Sequence, residues 1–348
     1  MVDFETQTFS KSFITESGDE LQNPHLVYHT WGKLNNQKNN VILICHALTG
    51  NSDASDWFSG LFETGGIIDL DKHFVICINH PGSCYGSIGP TSIDPNLGNP
   101  YQANFPELTI RDIVRLEQQL LDELGIQEIE LIIGGSMGGM IALEFCVMDS
   151  RIKSACLIAM GASHSAWAIG ISEAQRIAIK ADRNWNDGFY TNDSPPAQGL
   201  AAARSMAMIT YRSPQDYERK FGRNWNIQKK QFEVESYLGY QGEKLVQRFD
   251  ANSYITLTKA MDSHDIARGR GTVKTVLERL TIPILIIGID SDLLYPIHEQ
   301  IELAEHLPNS TFREIKSKYG HDAFLIEFEQ MNRALRQFRE QPHSSLID

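Results

Sequence analysis

The 348-residue sequence predicts an α/β fold, a mostly parallel sheet flanked by helices with a helical domain inserted into it. Three observations carry this. Short, continuous apolar runs rich in β-branched residues recur along the chain, the pattern of strands buried on both faces. Segments with helical periodicity lie between them, so strand–helix–strand crossovers follow. The alternation breaks between about His164 and Arg270 and then resumes.

In chain order, Leu26–Trp31 alternates polar and apolar residues and reads as an early antiparallel strand. The runs Val41–Cys45, Phe74–Ile78, Ile129–Ile133, Ser154–Ala159 and Ile284–Gly288 are the buried strands, and Thr311–Ile315 follows as another. The clearest helix spans Ile110 to Leu124. Thr109 is suited to cap it, Asp112 sits near its positive end, and Gly125 supplies a left-handed stop. Ile110, Ile113, Val114, Leu120, Leu121 and Leu124 share one face. The interruption contains no strong strand and reads as short helices at Trp167–Lys180, Leu200–Ile209, Pro214–Phe221, Tyr237–Phe249 and Ser253–Met261. The predicted organisation is therefore a first core segment at 1–163, a helical lid insertion at 164–270, and a second core segment at 271–348.

Composition narrows the function classes. Lys and Arg number 31 against 44 Asp and Glu, a net charge of −13. That balance opposes nonspecific nucleic-acid binding, which relies on cations neutralising phosphates. It does not oppose an anionic small substrate, because local fields can run against net charge. No apolar run reaches the ~18–20 residues of a membrane span, and Met1 to Glu20 carries no charged-then-apolar signal pattern. The five cysteines have no CxxC spacing, and Cys45, Cys77, Cys84 and Cys156 sit in or beside apolar runs or Gly-rich turns. They read as reduced, buried residues of a cytoplasmic chain. The 11 histidines are scattered, so no metal site is predicted.

The chemistry-bearing motif is Gly134-Gly135-Ser136-Met137-Gly138, placed between a strand and a helix. A serine on such a turn needs strained dihedrals, and its neighbours at ±2 must lack a clashing β-carbon. Ser136 is the predicted nucleophile. The helix that follows aims its N-terminus at negative charge developing on an attacked carbonyl, with the Met137 amide as one oxyanion donor. The second donor should come from the loop after an earlier strand, and in His46-Ala47-Leu48-Thr49-Gly50 the Leu48 amide is the natural candidate. His46 reads as a structural hydrogen-bonder that shapes this loop.

The acid and the base should follow the serine in that order. The strand Pro283–Gly288 ends in Ile289-Asp290-Ser291-Asp292. Asp292 precedes a Leu-Leu-Tyr-Pro turn and is assigned as the orienting acid, and Asp290 as a brace. His321, after Gly320 on a turn between a strand and a helix, is the predicted base. Asp292 would fix its tautomer while His321 takes the Ser136 proton.

Several ordered stretches resemble one family, the homoserine O-acetyltransferases of the α/β-hydrolase superfamily. They are His46–Gly50, Asn79–Pro90, Gly134–Met140, Arg204 with Thr210–Ser213, Asp290–Pro296, and Gly320–Phe324. The resemblance implies an α/β-hydrolase fold with a helical lid and a homodimer formed through lid helices. It implies a ping-pong reaction in which Ser136 is acylated by acetyl-CoA, a co-substrate, with no permanently bound cofactor. L-homoserine then takes the acetyl group, in methionine biosynthesis. It further implies that Arg204 and Asp322 contact the substrate. Chemistry agrees, since an Arg fork suits an amino acid's carboxylate and an Asp its ammonium. Tyr211, two helical turns beyond Arg204, can face the same cleft. Succinyl transfer, serine as acceptor, and simple ester or thioester hydrolysis remain open, because a methylene is worth only ~1–3 kcal/mol in a pocket.

Overall fold

A computed structural model describes residues 4–340. An eight-stranded sheet is built from β1 (Glu5–Thr8), β2 (His25–Gly32), β3 (Val41–Cys45), β4 (Phe74–Ile78), β5 (Ile129–Gly135), β6 (Ala155–Ile158), β7 (Ile284–Ile289) and β8 (Ser310–Ile315). The spatial order is β1-β2-β4-β3-β5-β6-β7-β8. Only β1–β2 and β2–β4 are antiparallel, and every later pairing is parallel.

The continuous apolarity of the central strands has a direct cause. In β3, Val41, Leu43 and Cys45 enter one core, and Ile42 and Ile44 enter the core on the other face. The first core is covered by α1 (Ile110–Glu123) and α2 (Met137–Met148). The second is covered by the C-terminal helix Phe328–Glu340, through Met331, Leu335 and Phe338. A strand sandwiched this way gains by being apolar at every position.

Helix α1 begins as its sequence dictates. The Thr109 side chain accepts from the Asp112 amide at 3.1 Å, and Asp112 accepts from the Thr109 amide at 3.1 Å. This reciprocal capping box satisfies two donors that the helix leaves open. Gly125 follows with φ 68°.

Between β6 and β7 lie α3 (Ala166–Lys180), α4 (Ala197–Tyr211), α5 (Pro214–Phe221), α6 (Glu233–Val246) and α7 (Ala251–Asp262). Three details differ from expectation. Helix α4 spans Ala197–Tyr211 where Leu200–Ile209 is expected, and Tyr211 is its last residue. Helix α6 starts at Glu233, where Glu235 reaches back to the Phe232 amide at 2.6 Å, and ends at Val246. A small hairpin, Trp225–Asn226 with Gln231–Phe232, also lies in this stretch; strands of two residues leave no periodicity to read. All five cysteines are free, and Cys84 is only half-buried. Among the described residues, no helix is long and apolar enough to cross a membrane.

Candidate active site

Ser136 sits at the β5–α2 junction with φ 56° and ψ −126°. A non-glycine residue held there costs of the order of 1–3 kcal/mol. The surroundings impose it. The Ser136 amide donates to Ile158 O at 2.9 Å, tying the turn to β6, and the Ser136 carbonyl accepts from the amides of Gly139 and Met140. The predicted requirement for bare neighbours holds. A β-carbon on Gly134 would lie 2.1 Å from Gly138 O, and one on Gly138 would lie 2.1 Å from Cys45 O. The second contact brings the end of β3, where the loop that carries Leu48 begins, against the first turn of α2.

The acid and base converge from two distant loops. His321 Nδ1 and Asp292 Oδ2 are hydrogen-bonded at 2.6 Å. Asp292 is itself locked, its Oδ1 accepting from the amides of Leu294 at 2.8 Å and Tyr295 at 3.0 Å. Asp290 is exposed and accepts from the Ser317 amide at 2.9 Å, a bracing contact between the acid loop and the loop leading to His321. Ser291 adds a second tie, accepting from the Gly320 amide at 3.1 Å and donating to Ser317 O. Gly320 has φ 63°, and a β-carbon there would lie 2.8 Å from the Arg212 backbone, so this position favours glycine on both counts.

Ser136, Asp292 and His321 are 5%, 4% and 3% exposed, dry enough to strengthen their electrostatics. Ser136 and His321 line one cavity of about 190 Å³ with Leu48, Arg204, Tyr211 and Asp322. Among the described residues no hydrogen bond joins Ser136 Oγ to the ring; such contacts are commonly long before substrate arrives. With Nδ1 bound to Asp292, Nε2 is the nitrogen left for the serine. The His321 ring packs between Tyr211, 5.6 Å away, and Tyr295, 5.4 Å away, centroid to centroid.

Arg204 stands over the Tyr211 ring, 5.5 Å from its centroid, and its buried Nη1 has no hydrogen-bond partner among the described residues. Asp322 is different. Its Oδ2 lies 2.9 Å from Arg212 Nε. Burial pushes its pKa up, and the Arg212 guanidinium opposes that shift. The expected counter-charge Asp322 is thus already paired, and its partner Arg212, inside the Thr210–Ser213 stretch, is a site residue that only the fold reveals.

A second, more open cavity of about 510 Å³ adjoins the first, sharing Thr49, Gly50, Trp57, Arg204 and Arg248 with it. Its wall adds Lys244, one helical turn before Arg248, and one carboxylate, Asp56. Arg248 donates to Thr49 O at 2.8 Å and also bonds the Tyr85 hydroxyl. Neither Lys244 nor Arg248 was legible beforehand, because a basic residue on a helix reads as solvated until the facing wall is known. Among the described residues, no group of three or more His, Cys, Asp or Glu is placed to hold a metal.

The chain is similar to known proteins in both sequence and fold. Residues 40–328 match the alpha/beta hydrolase fold family. A homoserine O-acetyltransferase of Chlorobium chlorochromatii is 53% identical over 95% of this chain and 94% of its own length. The chain belongs to the homoserine O-acetyltransferase family. A second homoserine O-acetyltransferase, from Trichormus variabilis, is 51% identical over 94% of this chain and 91% of its own. Among solved structures, the homoserine O-acetyltransferase of Bacillus anthracis superposes with a TM-score of 0.91 at 26% identity, covering 97% of this chain and 98% of that one. Esterase E22 is also close, with a TM-score of 0.89 at 26% identity, covering 98% of this chain and all of the other, so the family's architecture is shared with hydrolases.

Proposed function

We propose that the protein moves an acetyl group from acetyl-CoA to the hydroxyl of L-homoserine through an acyl-Ser136 intermediate. One observation carries the reading: His321, hydrogen-bonded to Asp292, shares a cavity with Ser136 and with Arg204, whose buried Nη1 has no hydrogen-bond partner among the described residues. Ser136 Oγ attacks the thioester carbonyl while His321 Nε2 takes its proton. The amides of Leu48 and Met137 hold the resulting oxyanion. Collapse expels the CoA sulfur, which receives the proton from His321. The homoserine hydroxyl then gives its proton to His321 and attacks the acyl carbonyl. Ser136 leaves and recovers a proton.

Arg204 is suited to the homoserine carboxylate, with Tyr211 beneath it. Asp322, held by Arg212, suits the ammonium. The outer cavity suits the phosphates of CoA, because Lys244, Arg248 and Arg204 outnumber Asp56 there in a chain of net charge −13. Residues 164–270 serve as a lid that keeps water from the acyl-enzyme. Homodimerisation through lid helices fits the exposed Trp167 and Ile177 of α3 and Met206 and Ile209 of α4. A cytoplasmic place in methionine biosynthesis follows from the same reading.

Hydrolysis is the second reading, favoured by the likeness to esterase E22. An assay with acetyl- or succinyl-CoA and homoserine or serine separates the cases. CoA release that needs both acetyl-CoA and homoserine is expected. Release independent of any acceptor means hydrolysis, and preference for another pair reassigns the substrates.

A further inference from the structure

Beneath the loop that carries Leu48 lies a fully buried chain of three polar side chains that the reaction above does not use. His80 Nδ1 and Glu117 Oε1 of α1 are 2.6 Å apart, and both residues are inaccessible to solvent. His80 Nε2 lies 3.0 Å from His46 O, and the His80 amide donates to His46 Nε2 at 3.1 Å. The two imidazoles are tilted against each other with centroids 3.8 Å apart. His46 Nδ1 lies 2.9 Å from Ala47 O, which also accepts from the Gly50 amide at 2.8 Å.

The proton positions follow from the partners. A backbone carbonyl can only accept, so His80 Nε2 and His46 Nδ1 both carry hydrogen. His46 Nε2 accepts from an amide, so His46 is the neutral Nδ1–H tautomer. His80 Nδ1 and Glu117 share the remaining proton. Glu117 Oε2 has no partner among the described residues, which suits a neutral acid donating through Oε1. Burial acts in the same direction, raising the Glu117 pKa and lowering that of His80 to about 4.

The end of the chain is the Ala47–Leu48 peptide. In a trans peptide the carbonyl and the following N–H point in opposite directions. Two donors pulling Ala47 C=O one way therefore fix the Leu48 N–H the other way. We infer that Glu117, His80 and His46 form a buried relay of positioning residues that locks the Ala47–Leu48 peptide plane and so preorganises one oxyanion donor. The inference rests on the proposed role of the Leu48 amide. A loop that could turn this plane over would lose the donor at little cost, and a preorganised donor is worth about 10²–10³ in rate.

The test compares donor-keeping with donor-deleting variants at two positions in the full-length protein. Glu117→Gln can still donate to His80 Nδ1, and His46→Asn retains an amide near the Nδ1 position. Glu117→Leu and His46→Leu delete these links. Rates of acylation by acetyl-CoA and deacylation by homoserine are read per active site, normalised by the amount of acyl-enzyme formed. The Leu variants should lose at least tenfold in both half-reactions, by similar factors, with the pH profile unmoved. The Gln and Asn variants should stay within a few-fold of the parent. If Glu117→Leu does not fold, the His46 pair carries the comparison. A fifth variant carries the α-hydroxy analogue of leucine at position 48, replacing that amide with an ester. A slow ester protein beside fast Leu variants overturns the relay and leaves the Leu48 reading standing. A fast ester protein overturns the Leu48 reading and the relay with it. Fewer active sites at unchanged rate per site in the Leu variants would mean a stability role only, and would also overturn the relay.

Discussion

Asp322 Oδ2 and Arg212 Nε are paired at 2.9 Å beside the residue that supplies the base, His321. The cavity wall therefore presents a carboxylate that burial pushes toward its neutral form while a protein cation opposes the shift. Arg212 also reaches Asp216 at 3.2 Å, but Asp216 has a second cation, Arg219, at 2.8 Å. Removing Arg212 thus isolates Asp322 more than Asp216. For Arg212→Met we expect KM for homoserine to rise about tenfold, ~1.4 kcal/mol, with the acylation half-reaction unchanged. A slower acylation with normal homoserine dependence would assign Arg212 to the donor side.

The strain at Ser136 makes a stability prediction opposite in sign to the activity prediction. Ser136→Ala keeps a β-carbon at φ 56°, whereas Ser136→Gly removes it. Both should abolish acyl-enzyme formation. Chemical denaturation should find the glycine variant about 1 kcal/mol more stable than the alanine variant. Equal stabilities would mean the turn is not strained by its side chain.

Gly320→Ala places a β-carbon against the Arg212 backbone at 2.8 Å in a left-handed residue. The local remedy is to move the turn that carries His321. A misplacement of about 1 Å in a reacting group can cost ~10²-fold. Both half-reactions should slow by a comparable factor while KM values change little, as measured by rapid-quench acylation and deacylation.

Lys244→Ala should raise KM for acetyl-CoA several-fold without lowering kcat, and the effect should shrink at high salt. The same variant should treat a short acetyl thioester without phosphates as the parent does. An equal loss with the short thioester would remove the phosphates from the outer cavity.

The buried His164 predicts acid sensitivity. Burial lowers the pKa of His164 from 6.5 to about 3, whereas His80 adds no such slope, because its partner Glu117 holds in the fold the proton that His80 gives up. Between the lowered His164 value and 6.5 the unfolded chain binds more protons than the folded one, so stability rises with pH through this window. It is lost as pH falls below 6.5, by up to ~1.4 kcal/mol per pH unit for this group. Urea midpoints across this range should show the slope, and His164→Gln should flatten it. A midpoint independent of pH from 4 to 6.5 would contradict it.

Much of this protein is legible in its sequence because the relevant constraints are local. The runs at Val41–Cys45 and Phe74–Ile78 are strands to the residue, since a segment covered on both faces must be apolar throughout. Thr109 and Asp112 announce α1 because the cap is a contact between neighbours in the chain. Ser136 announces itself because its dihedrals exclude β-carbons on either side. Asp292 rather than Asp290 as the partner of His321 was readable from the turn that follows it.

Other features depended on convergence. Arg212 with Asp322, Lys244 with Arg248 on a cavity wall, and Glu117 with His80 beneath a loop join elements whose spacing no periodicity encodes. Local sterics and apolar periodicity write the strands, the caps and the elbow into the order of residues. Which buried charge meets which partner is set only when the sheet and the helices above it close, because a polar group's partner is chosen by distance in space and by the cost of leaving it unpaired away from water.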